Sequence, residues 1–265
     1  MLNTIKASLY KLLKDRMFKV TLIVGASLAV ALTLLYCIVL KDTGVSGYMM
    51  MLTASSPTSN FGIAVPINLV VFTIGEFNYG TIRNRIIAGN KRSNIYLALF
   101  LTGIIFSLCL MIAYIGIATG LATIITGRFI PEGGGVTAAE IWSTIGYTLI
   151  IYVTLSALSV FTATAIRNMG GSISVTVIIM MIGLVASVIV LTVGSLDPNG
   201  FTVPDVAYVV NPLFISSMMT SFFGLLGSTI ENLGKAMLLS ILSNVIYTGI
   251  FLGAGIAIFN RRDVK

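Results

Sequence analysis

Histidine is absent from the chain, charged residues make up only 9% of it, and it has two cysteines. Each scarcity removes a class of function. Without histidine the commonest metal ligand and general base is gone. Cys37 and Cys109 lie inside apolar runs, with no spacing that suggests a disulfide framework or a metal site, and read as small apolar packing residues. Soluble domains carry about 25% charged residues, whereas here hydrophobic residues reach 57% and mean hydropathy is +1.01. Composition therefore predicts an integral membrane protein, in which spans and short connections use nearly all of the 265 residues. The net charge of +7 does not point to nucleic acid, because the cations are divided among the ends and loops of the apolar segments.

The apolar segments are themselves short of charge. None carries a lysine, arginine, aspartate or glutamate in its middle, whereas ion-coupled transporters often do. A phosphate-binding loop is missing as well. The Gly234-Lys235 pair has Thr229 where the first glycine belongs and Ala236 where serine or threonine should follow, so any ATP used here binds another chain. Serine and threonine are plentiful, but no histidine and no intramembrane carboxylate or lysine stands by as a base. The chain is accordingly assigned no catalytic residue, metal or cofactor.

Residues 1–17 place Leu2, Ile5, Leu9, Leu12 and Leu13 at helical spacing, with Lys6, Lys11 and Lys14 around the other side. That pattern predicts a helix lying in the membrane interface. It is not a cleavable signal, since the following run is too long and lacks a small-residue cleavage pattern. Apolar segments then predict spans at about 20–40, 61–77, 95–126, 138–166, 172–194 and 236–259. Pro66 is expected to kink the second, and the length of the third implies tilt or protrusion. Residues 41–57 read as a polar connection containing the Met49 to Met51 cluster. Thr137 to Glu140 matches a capping box before the fourth span, and Trp142 is expected near an interface.

Between the last two spans, Asn211-Pro212 looks like a helix start. Leu213 to Leu226 reaches only ~21 Å as a helix, short of a hydrocarbon core of ~30 Å. It is expected to re-enter the membrane and seal the outer end of a path, with Phe214, Phe222 and Phe223 as the gate. The predicted fold is all-α integral membrane, one domain over 1–265, with six transmembrane helices, an N-terminal interfacial helix and a short external helical hairpin over 195–235. Gly116-x-x-x-Gly120 and Gly249-x-x-x-Gly253 permit close helix packing. The Met49 to Met51 and Met218-Met219 clusters serve either packing or an adaptable substrate surface.

Charge sets the expected orientation. Thirteen of the sixteen lysines and arginines fall at the N-terminus, in the 76–94 connection, at Arg167 and at the C-terminus, which puts both termini in the cytoplasm. The most polar of these connections begins at Glu76. Gly80-Thr81 opens a short helix with Ile82, Ile86 and Ile87 on one face and Arg83 and Arg85 elsewhere, and Gly89-Asn90 ends it. Lys91 and Arg92 follow, so four cations accompany a single carboxylate, which is expected to pair with one of them or with a partner. Two readings stand: a loop that obeys the positive-inside rule and nothing more, or a docking helix for a cytoplasmic subunit.

Glu76-x-x-x-Gly80-Thr81, then Gly89 and Arg92-Ser93-x-Ile95-Tyr96-Leu97, together with the six-span layout, resemble the membrane subunit of type-2 ATP-binding-cassette exporters. These are small permeases of Gram-positive bacteria that handle bacteriocins, lantibiotics, bacitracin-like antibiotics and other amphipathic cargo. Leu99 departs from the resemblance, standing where a lysine is expected. The resemblance implies that Glu76, Gly80, Thr81, Arg83, Arg85, Gly89 and Arg92 dock a cytoplasmic ATPase subunit, which holds ATP and Mg. It also implies a second permease chain, as a homo- or heterodimer in membrane lipid, and outward movement of an amphipathic or hydrophobic substrate. A secondary carrier or channel without an ATPase, and a non-transporting sensor or scaffold, are the alternatives.

Overall fold

The computed structural model describes residues 2–39, 45–55, 63–131, 138–195 and 230–261, and among these every regular element is a helix. In chain order they are α1 (Leu2–Lys14), α2 (Arg16–Val39), α3 (Gly47–Ser55), α4 (Ala64–Asn78), α5 (Thr81–Ile87), α6 (Arg92–Thr126), α7 (Ala138–Ile166), α8 (Met169–Ser195) and α9 (Ile230–Arg261). Four stretches are long and apolar enough to cross a membrane: Arg16–Val39, Arg92–Thr126, Ile141–Ile166 and Ile241–Arg261. They make this a membrane-embedded protein. The described apolar stretches of α4 and α8, Ala64–Asn78 and Met169–Gly183, are shorter.

Two short helices, α3 and α4, pack along α6. The predicted polar connection over 41–57 contains α3, whose Tyr48, Met50, Met51, Leu52 and Ala54 are all buried. Its start is tied to the far end of α6, where Gly47 N–H donates to Arg128 O (3.2 Å) and Tyr48 N–H to Phe129 O (2.8 Å). Tyr48, Met51 and Leu52 then pack with Ile115 and Phe129 near the C-terminal half of α6, and with Ile141 of α7. Leu69 of α4 meets α6 nearer its start, where a Cβ on Gly103 would lie 3.0 Å from Leu69 Cδ2. Thus α3 and α4 lie along successive halves of α6. At 9 and 15 residues they are ~13 and ~22 Å long, so neither reaches across ~30 Å alone. Pro66 does not kink α4. It sits in the first turn, where its missing N–H costs no intrahelical bond.

Helix α7 lies against α4, α6, α8 and α9. An apolar surround gives a hydroxyl no water to bond, so each must find a partner in protein. Ser156 Oγ lies 2.8 Å from Ser107 Oγ of α6, Thr162 Oγ1 2.7 Å from Thr176 Oγ1 of α8, and Thr154 Oγ1 3.1 Å from Thr248 Oγ1 of α9. Many of the same side chains also bond a carbonyl one turn back, as Ser156 does to Tyr152 O. The serines and threonines of α7 therefore serve as interhelical glue.

Helix α1 sets part of its apolar side against the rest of the protein. Leu12 and Ser8 are buried and Leu9 packs on the core, but Leu13 is 61% exposed. The helix is anchored along Ser8, Leu9 and Leu12, and Leu13 faces away.

Candidate functional site

At the end of α4 the chain carries a buried carboxylate. Glu76 is 1% exposed, and its side chain meets cations from two other helices. Lys11 Nζ of α1 lies 2.6 Å from Oε1, and Arg85 Nη2 of α5 lies 3.3 Å from Oε2. Both oxygens are held by charge without a directed hydrogen bond. Lys11 also donates to Thr81 Oγ1 at 3.0 Å and sits 5.3 Å from the centre of the Tyr79 ring. A buried ion pair repays the desolvation of its members only when both are present, and removing one strands the other. One acid therefore binds the ends of α1, α4 and α5 to one another.

Backbone geometry brings α5 back to this acid. Gly80 precedes α5 at φ +65°, a left-handed conformation that glycine adopts at little cost, and a Cβ there would meet nothing within 4 Å. Its requirement is conformation rather than space. Asn90 closes the far end, its N–H and Nδ2 both donating to Arg85 O (3.2 and 3.1 Å), next to Gly89 at φ +82°. The buried face of α5 is narrower than its periodicity suggests. Ile82 is fully buried and Ile86 packs on the core, while Ile87 is 74% exposed. The arginines separate: Arg85 turns inward to Glu76, and Arg83 stays exposed.

A second cluster joins α6 to α9 at the same end. Arg92 Nη1 donates to Asn260 O (3.1 Å) and Asn260 Nδ2 to Ser93 Oγ (3.2 Å). Tyr96 OH donates to Phe251 O at 3.3 Å. That hydroxyl fills the space a side chain at residue 255 would need, since a Cβ on Gly255 would collide with Tyr96 Oη. Phe77, beside Glu76, links the clusters: its ring lies 6.1 Å from Phe259, which lies 6.1 Å from Tyr96. Arg167, in the turn between α7 and α8, stacks 5.4 Å over Phe77. Leu99, at the position where a lysine is expected, is 1% exposed among apolar neighbours.

Of the residues singled out in the sequence, Glu76, Thr81 and Arg85 meet directly or through Lys11, and Gly80 and Gly89 shape the loop that carries them. Arg92 belongs to the α6–α9 cluster, and Arg83 stands apart on the surface. Phe214, Phe222, Phe223, Met218 and Met219 lie outside the described residues. Met50 and Met51 are core, whereas Met49 is 47% exposed. The two glycine motifs make no close contact among the described residues: a Cβ on Gly116, Gly120, Gly249 or Gly253 would meet nothing there within 4 Å. Lys11, Tyr79, Gly255, Phe259 and Asn260 were not singled out. Lys11 gave no signal beyond its place on the polar side of α1. Compared with models of known protein families and with curated proteins, the chain matches none.

Proposed function

We propose that the chain is the permease subunit of an ATP-binding-cassette exporter. In this reading it has six spans and cytoplasmic termini, and it pairs with a second permease chain. A separate ATPase subunit binds ATP and Mg and drives an amphipathic or hydrophobic substrate outward. The observation that carries the reading is α5: a short basic helix seated on a buried carboxylate, with Arg83, Asn84 and Ile87 exposed beside an exposed Tyr79. A loop that only obeyed a charge rule would need no buried ion pair to hold it. Force applied to the exposed side of α5 would pass through Arg85 and Glu76 into α4 and through Lys11 into α1. The bias of cations to the termini, the 76–94 loop and Arg167 supports the orientation.

The test is recovery of an ATPase subunit with the full chain, together with ATP-dependent export. Arg83→Glu combined with Ile87→Asp should lose both while the chain still inserts. Unchanged association and export would refute the docking role, and substrate flux by the chain alone would favour a carrier or channel.

A further inference from the structure

A cavity of about 500 Å³ opens beside the Glu76 node, between the α1–α2 junction, one side of α4 and the first turn of α8. Its size falls within the range of small-molecule sites, ~300–1,000 Å³. The lining is divided. Val71, Phe72 and Ile74 of α4 give an apolar wall, with Met17 and Met169 beside it, and both methionines are exposed. Lys11, Lys14, Asn78 and Tyr79 supply polar groups to the same cavity.

The charges in the lining are not equivalent. Glu76 already faces Lys11 and Arg85. Asp15 accepts the Met17 N–H at 3.1 Å, capping the start of α2. Lys14 has no such acid beside it in the described contacts, and its ammonium rests 4.5 Å from the Tyr10 ring. Arg16 lies between the lining residues Asp15 and Met17, and Arg85 contacts Glu76, so Lys11, Lys14, Arg16 and Arg85 stand against the two acids of the lining, Asp15 and Glu76. The field at the mouth is therefore positive, and the mouth lies where an amphipathic helix meets the apolar part of the protein. A ligand suited to it has an anionic head and an apolar body, and the surrounding bilayer supplies one at high local concentration. Basic pockets between membrane helices bind anionic headgroups.

We propose that this cavity binds one anionic phospholipid, with its phosphate at Lys14 and Lys11 and its glycerol and upper acyl chain along Val71, Phe72 and Ile74. The site stands on the membrane-embedded fold and not on transport. A lipid seated there touches α1, α4 and α8 together, beside the ion pair that joins α1 to α4 and α5.

The test uses the full chain in detergent, titrated separately with phosphatidylglycerol and phosphatidylcholine and read by native mass spectrometry. Phosphatidylglycerol should be retained in preference to phosphatidylcholine. Lys14→Gln should weaken that retention by about five-fold, the worth of one cation beside an anionic headgroup. Lys6→Gln, exposed on the same helix but outside the lining, should leave it unchanged. Val71→Trp, which fills the cavity and leaves every charge in place, should also lose the lipid, giving a second arm should Lys14→Gln not fold. Equal retention of the two lipids, equal loss in Lys6→Gln and Lys14→Gln, or full retention by Val71→Trp would overturn the site. Complete displacement of the lipid by inorganic phosphate would overturn it too, by showing a phosphate site with no place for the chain.

Discussion

The two ends of helix α6 are held by different means. At its start, near α5, separate helices are joined by side chains: Glu76 with Lys11 and Arg85, Arg92 with Asn260, and Tyr96 with the Phe251 carbonyl. At its finish, Gly47 and Tyr48 of α3 donate backbone N–H groups to the Arg128 and Phe129 carbonyls, and the Tyr48 and Phe129 rings meet edge-on at 6.4 Å. Backbone bonds survive most substitutions. Ion pairs depend on particular side chains, and what touches one member acts on the others. The first end is thus suited to passing a signal between helices and the second to anchoring a short helix. Where a regulated partner or lipid acts on this molecule, it should act at the first.

The largest effect should come from stranding the acid. Lys11→Ala with Arg85→Ala leaves Glu76 buried with neither cation, and breaking a buried pair in this way costs ~3–5 kcal/mol. Heating the protein in detergent should show a much earlier loss of folded chain, and adding Glu76→Gln to the pair should recover most of it. No recovery would mean that Lys11 and Arg85 act through packing instead of charge.

Next come the glycines, one near each end. Gly47→Ala would drive a methyl group into Thr123 Oγ1 and towards the Phe129 ring, and Gly255→Ala would drive one into Tyr96 Oη. Overpacking of this kind costs ~1–3 kcal/mol. The two should differ in their rescue. Thr123→Ala removes the oxygen nearest the new methyl and should recover part of Gly47→Ala, with Phe129 still close. Tyr96→Phe should recover little of Gly255→Ala, because the ring carbons Cζ and Cε2 still occupy the place of the methyl. Identical rescue at both would blur the contrast. Smallest of all, Gly253→Ala points into open space and should stay within ~0.5 kcal/mol of the parent in the same assay.

Long features were legible in the sequence and short ones were not. The apolar runs over 95–126 and 138–166 are long enough that length and composition alone decide them, and they appear as α6 and α7. Gly80 and Gly89 marked both ends of α5. The expectation that Glu76 pairs with a cation of its own loop is met by Arg85. Lys11 could not be read, because its partner is 65 positions away and an exposed helix face offers no hint of which lysine turns inward. Helix α3 was hidden because nine residues that open on glycine and run into Ser56-Pro57 show no period that separates a buried helix from a loop. Helical spacing groups Ile87 with Ile82 and Ile86, and Leu13 with Leu9 and Leu12, but in helices of seven and thirteen residues tertiary contacts decide which of them meet the core.

The central claim is that Glu76 joins α1 to α4 and α5 as one unit, and a double-mutant cycle on Lys11→Gln and Glu76→Gln tests it most directly. Both substitutions keep side-chain size, so the cycle isolates the charge interaction between helices distant in sequence. Measured as folded stability in detergent, the two should couple by about 1 kcal/mol or more, the double variant losing much less than the sum of the singles. Losses that add to within ~0.3–0.5 kcal/mol, as they do for independent sites, would contradict the account.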